Sequence, residues 1–285
     1  LKSDNIAKLM APWLKPEQLR IERQAVYRFH ARCCHSFQQN SVFLVGDAAH
    51  VTPPFVGQGL VAGLRDVANL SWKLAWVVQG KAKPAILTSY DTERRPHAKK
   101  MINLARWMGK LVMPPSAFKA ILVHGLMRIL GSFPLTKAYF EDLEIKPANR
   151  FPKGLFQPGR SKTGLWRGGL FPQEWLRTVD GIQLSDDVCN AQLLLIGVGT
   201  EPTQHIAATT REAWQAAGGA FLHIGLRGQS GTGNVPFAEA LGNSVLPRSA
   251  RGWLFIVRPD QVVMLDGPPR HGDALIQDAL GMLCN

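Results

Sequence analysis

The sequence predicts an α/β protein built in two segments, and three observations carry that prediction. Short apolar runs with β-type alternation are interspersed with long stretches in which apolar residues recur at helical spacing. Residues 1–160 carry 24 Lys and Arg against 10 Asp and Glu, whereas residues 161–285 carry 9 against 11, so the two segments differ in surface character. Between them, residues 145–173 are rich in Pro, Gly and Lys and lack periodicity, which predicts a connector with a boundary near residue 160.

Taken in order, Gln24 to Ala31 places Ala25, Tyr27, Phe29 and Ala31 on one side of an alternating pattern and so predicts a strand. A second strand is expected at Ser41 to Val45. Leu64 to Val78 repeats apolar residues at helical spacing, with Leu70, Leu74 and Val77 on one stripe. A longer helical stretch, Pro84 to Val112, should break or restart near Pro96, because proline cannot donate to the preceding turn. Residues 115–131 read as helical again. Beyond the connector the pattern gives a buried strand at Gln192 to Gly197, a helix at Thr203 to Ala217 and a strand at Ala220 to Leu226. A hairpin of Trp253–Val257 and Val262–Asp266 follows, turned by Pro259 and Asp260, and then a helix near Asp273 to Leu283. This β-α-β then β-β-α order is the plan of thioredoxin, so residues 161–285 are read as a thioredoxin-like domain.

Composition excludes several functions. With 285 residues and 46% hydrophobic content the chain can bury a real core. Its longest apolar runs, such as Leu193 to Val198, fall far short of the roughly 20 residues that cross a membrane, so no membrane association is expected and a cytoplasmic location is. Cys33, Cys34, Cys189 and Cys284 form no metal-ligand spacing and no C-x-x-C pair, which argues against a metal site and against disulfide exchange. The basic residues are scattered through helical patterns without interleaved aromatics, which argues against nucleic acid. They suit a surface that faces an acidic partner domain or attracts an anionic ligand.

The chemistry is concentrated in one block, Gly46-Asp47-Ala48-Ala49-His50-Val51-Thr52-Pro53-Pro54-Phe55-Val56-Gly57-Gln58-Gly59-Leu60-Val61-Ala62-Gly63, followed by Leu64-Arg65-Asp66-Val67-Ala68-Asn69-Leu70-Ser71-Trp72-Lys73-Leu74. A strand ending at Val45 delivers the Asp47 carboxylate at its carboxyl end, where open α/β folds bind ligands. There it can accept hydrogen bonds from a hydroxylated chain. The Pro-Pro pair fixes an extended turn, and the glycines let backbone approach a flat ring at the start of a helix, a place that stabilises negative charge. His50 reads as a structural histidine. Asp66, Asn69, Trp72 and Lys73 read as residues that hold their helix, and Glu93, Arg94 and Arg95 as a structural ion network.

This block resembles the second FAD motif of the flavoprotein monooxygenases that include p-hydroxybenzoate hydroxylase, and it is closer to the 3-(3-hydroxyphenyl)propionate hydroxylase branch. The resemblance extends through Ser89-Tyr90-Asp91-Thr92-Glu93-Arg94-Arg95-Pro96-His97-Ala98, Phe171-Pro172-Gln173 and Arg258-Pro259-Asp260, and so spans nearly the whole chain. It implies that Asp47 binds the FAD ribityl chain, that Pro54 lies against the isoalloxazine ring, and that Gly57, Gln58 and Gly59 bring backbone to its pyrimidine side. Gly46 and Leu60 complete the implied cofactor site. Val56 and Val61 depart from the small residue and the asparagine that relatives often carry here. The G-x-G-x-x-G that holds the ADP portion of FAD in the family is not in this sequence; Gly197-Val198-Gly199-Thr200-Glu201-Pro202 imitates it but ends in proline.

The implied activity is hydroxylation of a phenolic aromatic acid with FAD, oxygen and NADH or NADPH, in a parent protein that adds an N-terminal FAD-binding segment; alone, the chain is expected to be inactive. Tyr27, Arg28 and His30 are weak candidates for substrate contact, and no catalytic residue is singled out. Rival readings are a non-catalytic piece serving folding or homo-oligomerisation, and a hydroxylase of another phenol or a polyketide.

Overall fold

The computed structural model describes residues 6, 8, 10–18, 20–23, 25–131, 148–231, 233–242 and 248–284. Its first part is helical with small β elements. Strand β1 (Arg32–Cys33) pairs antiparallel with β4 (His50–Val51), and β2 (Gln38–Gln39) turns back onto β3 (Val42–Phe43) through Asn40 in the left-handed region. Two long helices pack against these strands: α1 (Gly59–Val78) and α2 (Thr88–Val112). Phe37, Ala49, Leu70, Tyr90 and Ala98 form a small core between them. The Tyr90 hydroxyl donates to the Leu44 carbonyl, and the Asp91 carboxylate accepts from the Phe37 amide, so α2 pins the chain that leads to the glycine-rich block. A third helix, α3 (Ala117–Gly131), follows.

The second part is a seven-stranded mixed sheet. Its strands are β5 (Trp175–Thr178), β6 (Gly181–Leu184), β7 (Leu193–Val198), β8 (Gly219–Gly225), β9 (Phe237–Ala240), β10 (Trp253–Val257) and β11 (Val263–Gly267), in spatial order β11-β10-β7-β8-β9-β5-β6. Strands β7, β8 and β9 run parallel, while β10 and β11 form an antiparallel hairpin on β7. Helices α4 (Ser185–Cys189), α5 (Ala208–Ala216) and α6 (Gly272–Cys284) complete it. Every residue of β7 is buried because both faces are covered: Leu193 and Leu195 join Trp72, Trp76, Trp214 and Ile276 on one side, and Leu194, Ile196 and Val198 join Phe171, Leu176 and Phe255 on the other. That is why it reads as a continuous apolar run and not an alternating one.

Several expectations are corrected. The strand predicted over 24–31 is absent: Gln24 lies outside the described residues, and residues 25–30 are exposed with no neighbouring strand. Alternation alone does not make a strand when nothing accepts its backbone hydrogen bonds. The strand expected at 41–45 shrinks to Val42–Phe43. Helix α1 begins at Gly59, before the predicted Leu64, so the last five residues of the glycine-rich block, 59–63, are helix. Helix α2 runs through Pro96 without a break. The proline lacks the N–H that would donate to the Thr92 carbonyl, but Glu93, Arg94, His97, Ala98 and Met101 are buried on either side and hold the helix in place. The predicted connector, of which 145–147 are outside the described residues, is irregular yet anchored by buried Phe151, Leu155, Phe156, Leu165 and Phe171. Helix α5 starts at Ala208 and not Thr203, because Glu201 accepts from both the amide and the hydroxyl of Thr203 and closes a separate turn. No helix among the described residues is long and apolar enough to cross a membrane.

Candidate functional site

The glycine-rich block forms two tight turns against the start of α1. Gly46 opens the first with φ +57°, a conformation that costs residues with a Cβ about 1 kcal/mol or more. Its neighbour across the turn is also glycine: a Cβ on Gly63 would lie 3.3 Å from the Gly46 Cα. This close approach seats Asp47 beside the first turns of α1. The Asp47 side chain is exposed and makes no hydrogen bond among the described residues. Pro53 is extended, and Pro54 starts the second turn, closed by Gly57 at φ +63° whose amide donates to the Pro54 carbonyl. Phe55 anchors this turn by laying its ring on Gly109 of α2, where a Cβ would come within 2.6 Å.

Gln58 caps α1, and its carbonyl accepts from Ala62. The amides of Gly59, Leu60 and Val61 therefore have no intrahelical acceptor, as at every helix start. Nothing lies within 4 Å of a Cβ built on Gly57, and Leu60 is 78% exposed, so these donors and the Asp47 carboxylate share an open surface. Such a set can hold a negative group at the helix start and hydroxyl donors at the carboxylate.

A fully buried carboxylate holds this surface in shape. Asp66 accepts from the Gly46 amide at 3.1 Å, from His50 Nε2 at 2.8 Å and from Arg94 Nε at 2.8 Å. Burial pushes its pKa up, but the hydrogen bond from His50 and the charge of Arg94 outweigh this and hold it below the ordinary carboxylate range. Asp66 is thus a hub between the first turn, α1 and α2, and does more than hold its own helix. Arg94 Nη1 stands 3.5 Å from His97 Nδ1, and burial together with Arg94 and Arg65 pulls His97 down to about 4.

A second buried network ties α1 and α2 to the β10–β11 hairpin. Glu93 accepts from Arg258 Nη1 at 2.6 Å and Nη2 at 2.9 Å, from Lys73 Nζ at 3.0 Å, from Asn69 Nδ2 at 2.6 Å and from the Leu155 amide at 2.7 Å. Arg258 also grips Asp260, which accepts a further bond from Asn69. Burial would raise the Glu93 pKa, but the charges of Arg258 and Lys73 drive it well down. Burial is the largest influence on Lys73 and brings it to about 8.

The predicted residues Gly46, Asp47, Pro54, Gly57, Gln58, Gly59 and Leu60 therefore occupy two consecutive turns and one helix start. Tyr27, Arg28 and His30 lie on exposed chain with no hydrogen bond to those turns among the described residues. Sequence reasoning missed the partners of Asp66 and Arg258. The only signal available was the quoted Arg258-Pro259-Asp260, whose polar residues interrupt an apolar hairpin. Among the described residues no group of three or more His, Cys, Asp or Glu is placed to hold a metal.

Residues 10–105 match the family model described as an FAD binding domain, and residues 168–281 match the HcaD C-terminal domain. By these matches the chain resembles FAD-dependent aromatic hydroxylases. It is 36% identical over 273 residues to the 3-(3-hydroxy-phenyl)propionate/3-hydroxycinnamic acid hydroxylase 2 of Burkholderia vietnamiensis (strain G4 / LMG 22486), covering 91% of this chain and 50% of that protein. It is 33% identical over 276 residues to the corresponding hydroxylase of Escherichia coli (strain K12 / DH10B), covering 93% and 50%. The chain thus spans about half the length of these relatives. Among solved structures, aklavinone-11 hydroxylase in a ternary complex with FAD and aklavinone superposes with a TM-score of 0.67 at 20% identity, over 99% of this chain and 51% of that one. That likeness concerns the fold.

Proposed function

We propose that this chain supplies the ribityl and isoalloxazine side of the FAD site of an aromatic-ring monooxygenase acting on a phenolic acid of the 3-(3-hydroxyphenyl)propionate type. The observation that carries the reading is the exposed, uncommitted Asp47 carboxylate set by the Gly46–Gly63 contact beside the open start of α1. Asp47 accepts hydrogen bonds from ribityl hydroxyls. The amides of Gly59, Leu60 and Val61 hold negative charge at the pyrimidine edge of the ring, Pro54 gives the ring a rigid apolar neighbour, and Gly57 leaves room for it. FAD, once bound, supplies the electron-transfer and oxygen chemistry, with NADH or NADPH as reductant. The pyrophosphate and adenosine need a glycine-rich turn outside these 285 residues.

In this reading residues 161–285 form a thioredoxin-like domain behind a boundary near residue 160. Support comes from the strand run β8-β7-β10-β11, with β7 and β8 parallel, β10 and β11 antiparallel, and α6 closing the order. The turn after β7, Gly199-Thr200-Glu201-Pro202, has no cysteine, and burial pushes the Cys189 thiol up to about 12, so the domain serves structure and not thiol chemistry.

The test is Asp47→Ala in a polypeptide of the relatives' full length that contains this chain. Hydrogen bonds to a charged acceptor contribute about 1.5–3 kcal/mol, so FAD affinity should fall roughly ten- to a hundredfold, while the urea midpoint of the apoprotein, with an exposed carboxylate removed, should move little. An affinity unchanged within about twofold would remove Asp47 from the cofactor site.

A further inference from the structure

Two neighbouring thiols sit behind the turn that carries Asp47, and the flavin reading makes no use of them. Cys33 is the last residue of β1 and stands opposite His50. The next residue, Cys34, donates its amide to the Ala49 carbonyl at 2.9 Å and its thiol hydrogen to the Ala48 carbonyl, with Sγ at 3.5 Å. Both side chains are half-buried and pack against the small core of Phe37, Ala49, Leu70, Tyr90 and Ala98. Because β1 ends at Cys33, strand alternation does not force the two sulfurs to opposite faces. The other two cysteines lie elsewhere: Cys189 is buried in α4, and Cys284 is exposed at the end of α6.

The pair is poorly suited to closing on itself. Adjacent Cα atoms stand about 3.8 Å apart, short of the roughly 4.4–6.8 Å that disulfides span. Burial raises the Cys33 pKa, and Lys99 and Arg95 oppose it only in part, so this sulfur stays a neutral thiol near neutral pH. No third ligand joins the two, since among the described residues no group of three or more His, Cys, Asp or Glu is placed to hold a metal. What two adjacent thiols can hold is a soft centre that takes two sulfurs and sits between them, which lengthens the bridge.

We propose that Cys33 and Cys34 form a dithiol site for trivalent organoarsenicals, and that its occupation displaces the Gly46–Ala49 turn. The arsenic–oxygen bond of R–As=O breaks, one arsenic–sulfur bond forms to each cysteine, and both thiol protons leave with the oxygen as water. Nothing is oxidised or reduced. Cys34 thereby loses the hydrogen that it donates to the Ala48 carbonyl, one residue from Asp47, and the ring closed through arsenic pulls on the backbone bond from Cys34 to Ala49. The site follows from the placement of the thiols and does not depend on the flavin reading.

The experiment treats the 285-residue chain with phenylarsine oxide and reads intact mass, peptide maps after alkylation, and ¹⁵N NMR. One phenylarsenic group per chain should survive excess mercaptoethanol and be released by the dithiol dimercaptopropanol. Removing either sulfur removes the chelate, so Cys33→Ser and Cys34→Ser should each weaken retention by at least about a hundredfold, whereas Cys284→Ser should keep it. The bound group should shield Cys33 and Cys34 together from iodoacetamide while Cys284 stays reactive, and it should shift the amides of Asp47, Ala48 and Ala49. Full retention in either Cys33→Ser or Cys34→Ser, release by mercaptoethanol, or alkylation of one member of the pair in the adduct would overturn the dithiol site. Unmoved amides at all three positions would overturn its coupling to the turn. Should a serine variant fail to fold, the alkylation pattern of the unaltered chain still decides.

Discussion

Arg258→Met is the perturbation that most exposes how the helices are joined to the sheet. Arg258 is fully buried and donates two bonds to Glu93, two to Asp260 and one to the Leu155 carbonyl, with its guanidinium 5.5 Å from the Trp72 ring centre. Removing it leaves two buried carboxylates facing a single ammonium, on Lys73, whose own charge is already disfavoured by burial. Breaking such a pair by deleting one partner costs about 3–5 kcal/mol, chiefly because the remaining charge stays desolvated. Neutralising the orphan should recover much of that loss, so Arg258→Met combined with Glu93→Gln should be less destabilised than the sum of the single changes by about 2 kcal/mol. Urea unfolding followed by tryptophan fluorescence reads all four proteins. A single-mutant loss below about 1 kcal/mol, or strict additivity in the cycle, would refute the claim that this network couples residues 165 positions apart.

Acid should destabilise the fold in two stages. His97 is held neutral in the fold, at about 4 against 6.5 unperturbed, so between those values the unfolded chain binds more protons and stability falls as pH falls, by up to about 3 kcal/mol; His97→Gln should flatten that slope in urea midpoints measured across the range. Asp66 and Glu93 are depressed in the fold, so their contribution is complete above the ordinary carboxylate range and is lost at still lower pH. Gly57→Ala, forced into φ +63° without any clash, should lower stability by about 1 kcal/mol, and an unchanged melting temperature would show that the turn adopts another conformation.

Much of the architecture was legible in local pattern. The hairpin Trp253–Val257 and Val263–Gly267 and helix α6 fall within a residue or so of their predicted bounds, because a tight turn and a helical stripe are written in adjacent residues. The site turns were legible for a different reason: Gly46, Asp47, Pro54 and Gly57 are residue types that only a few backbone conformations require together. What failed was nonlocal. Strand β9, Phe237–Ala240, has alanine and glutamate at three of its four positions and exists because β8 and β5 offer it ladders on both sides. The buried segment 150–171 hides its anchors among glycines and prolines at irregular spacing. Asp66 reads as an ordinary helix residue until His50, Gly46 and Arg94 are brought around it.

The central claim is that this chain carries one half of a flavin site, the half with the ring and the ribityl chain. It is tested most directly by mapping FMN and ADP separately onto the ¹⁵N-labelled chain. FMN should shift the amides of Asp47, Gly57, Gly59 and Leu60, weakly because only part of the cofactor is gripped, and Asp47→Ala should remove those shifts, whereas ADP should leave all four amides unmoved. Shifts at these amides from ADP instead of FMN, or FMN shifts that persist in Asp47→Ala, would contradict the account.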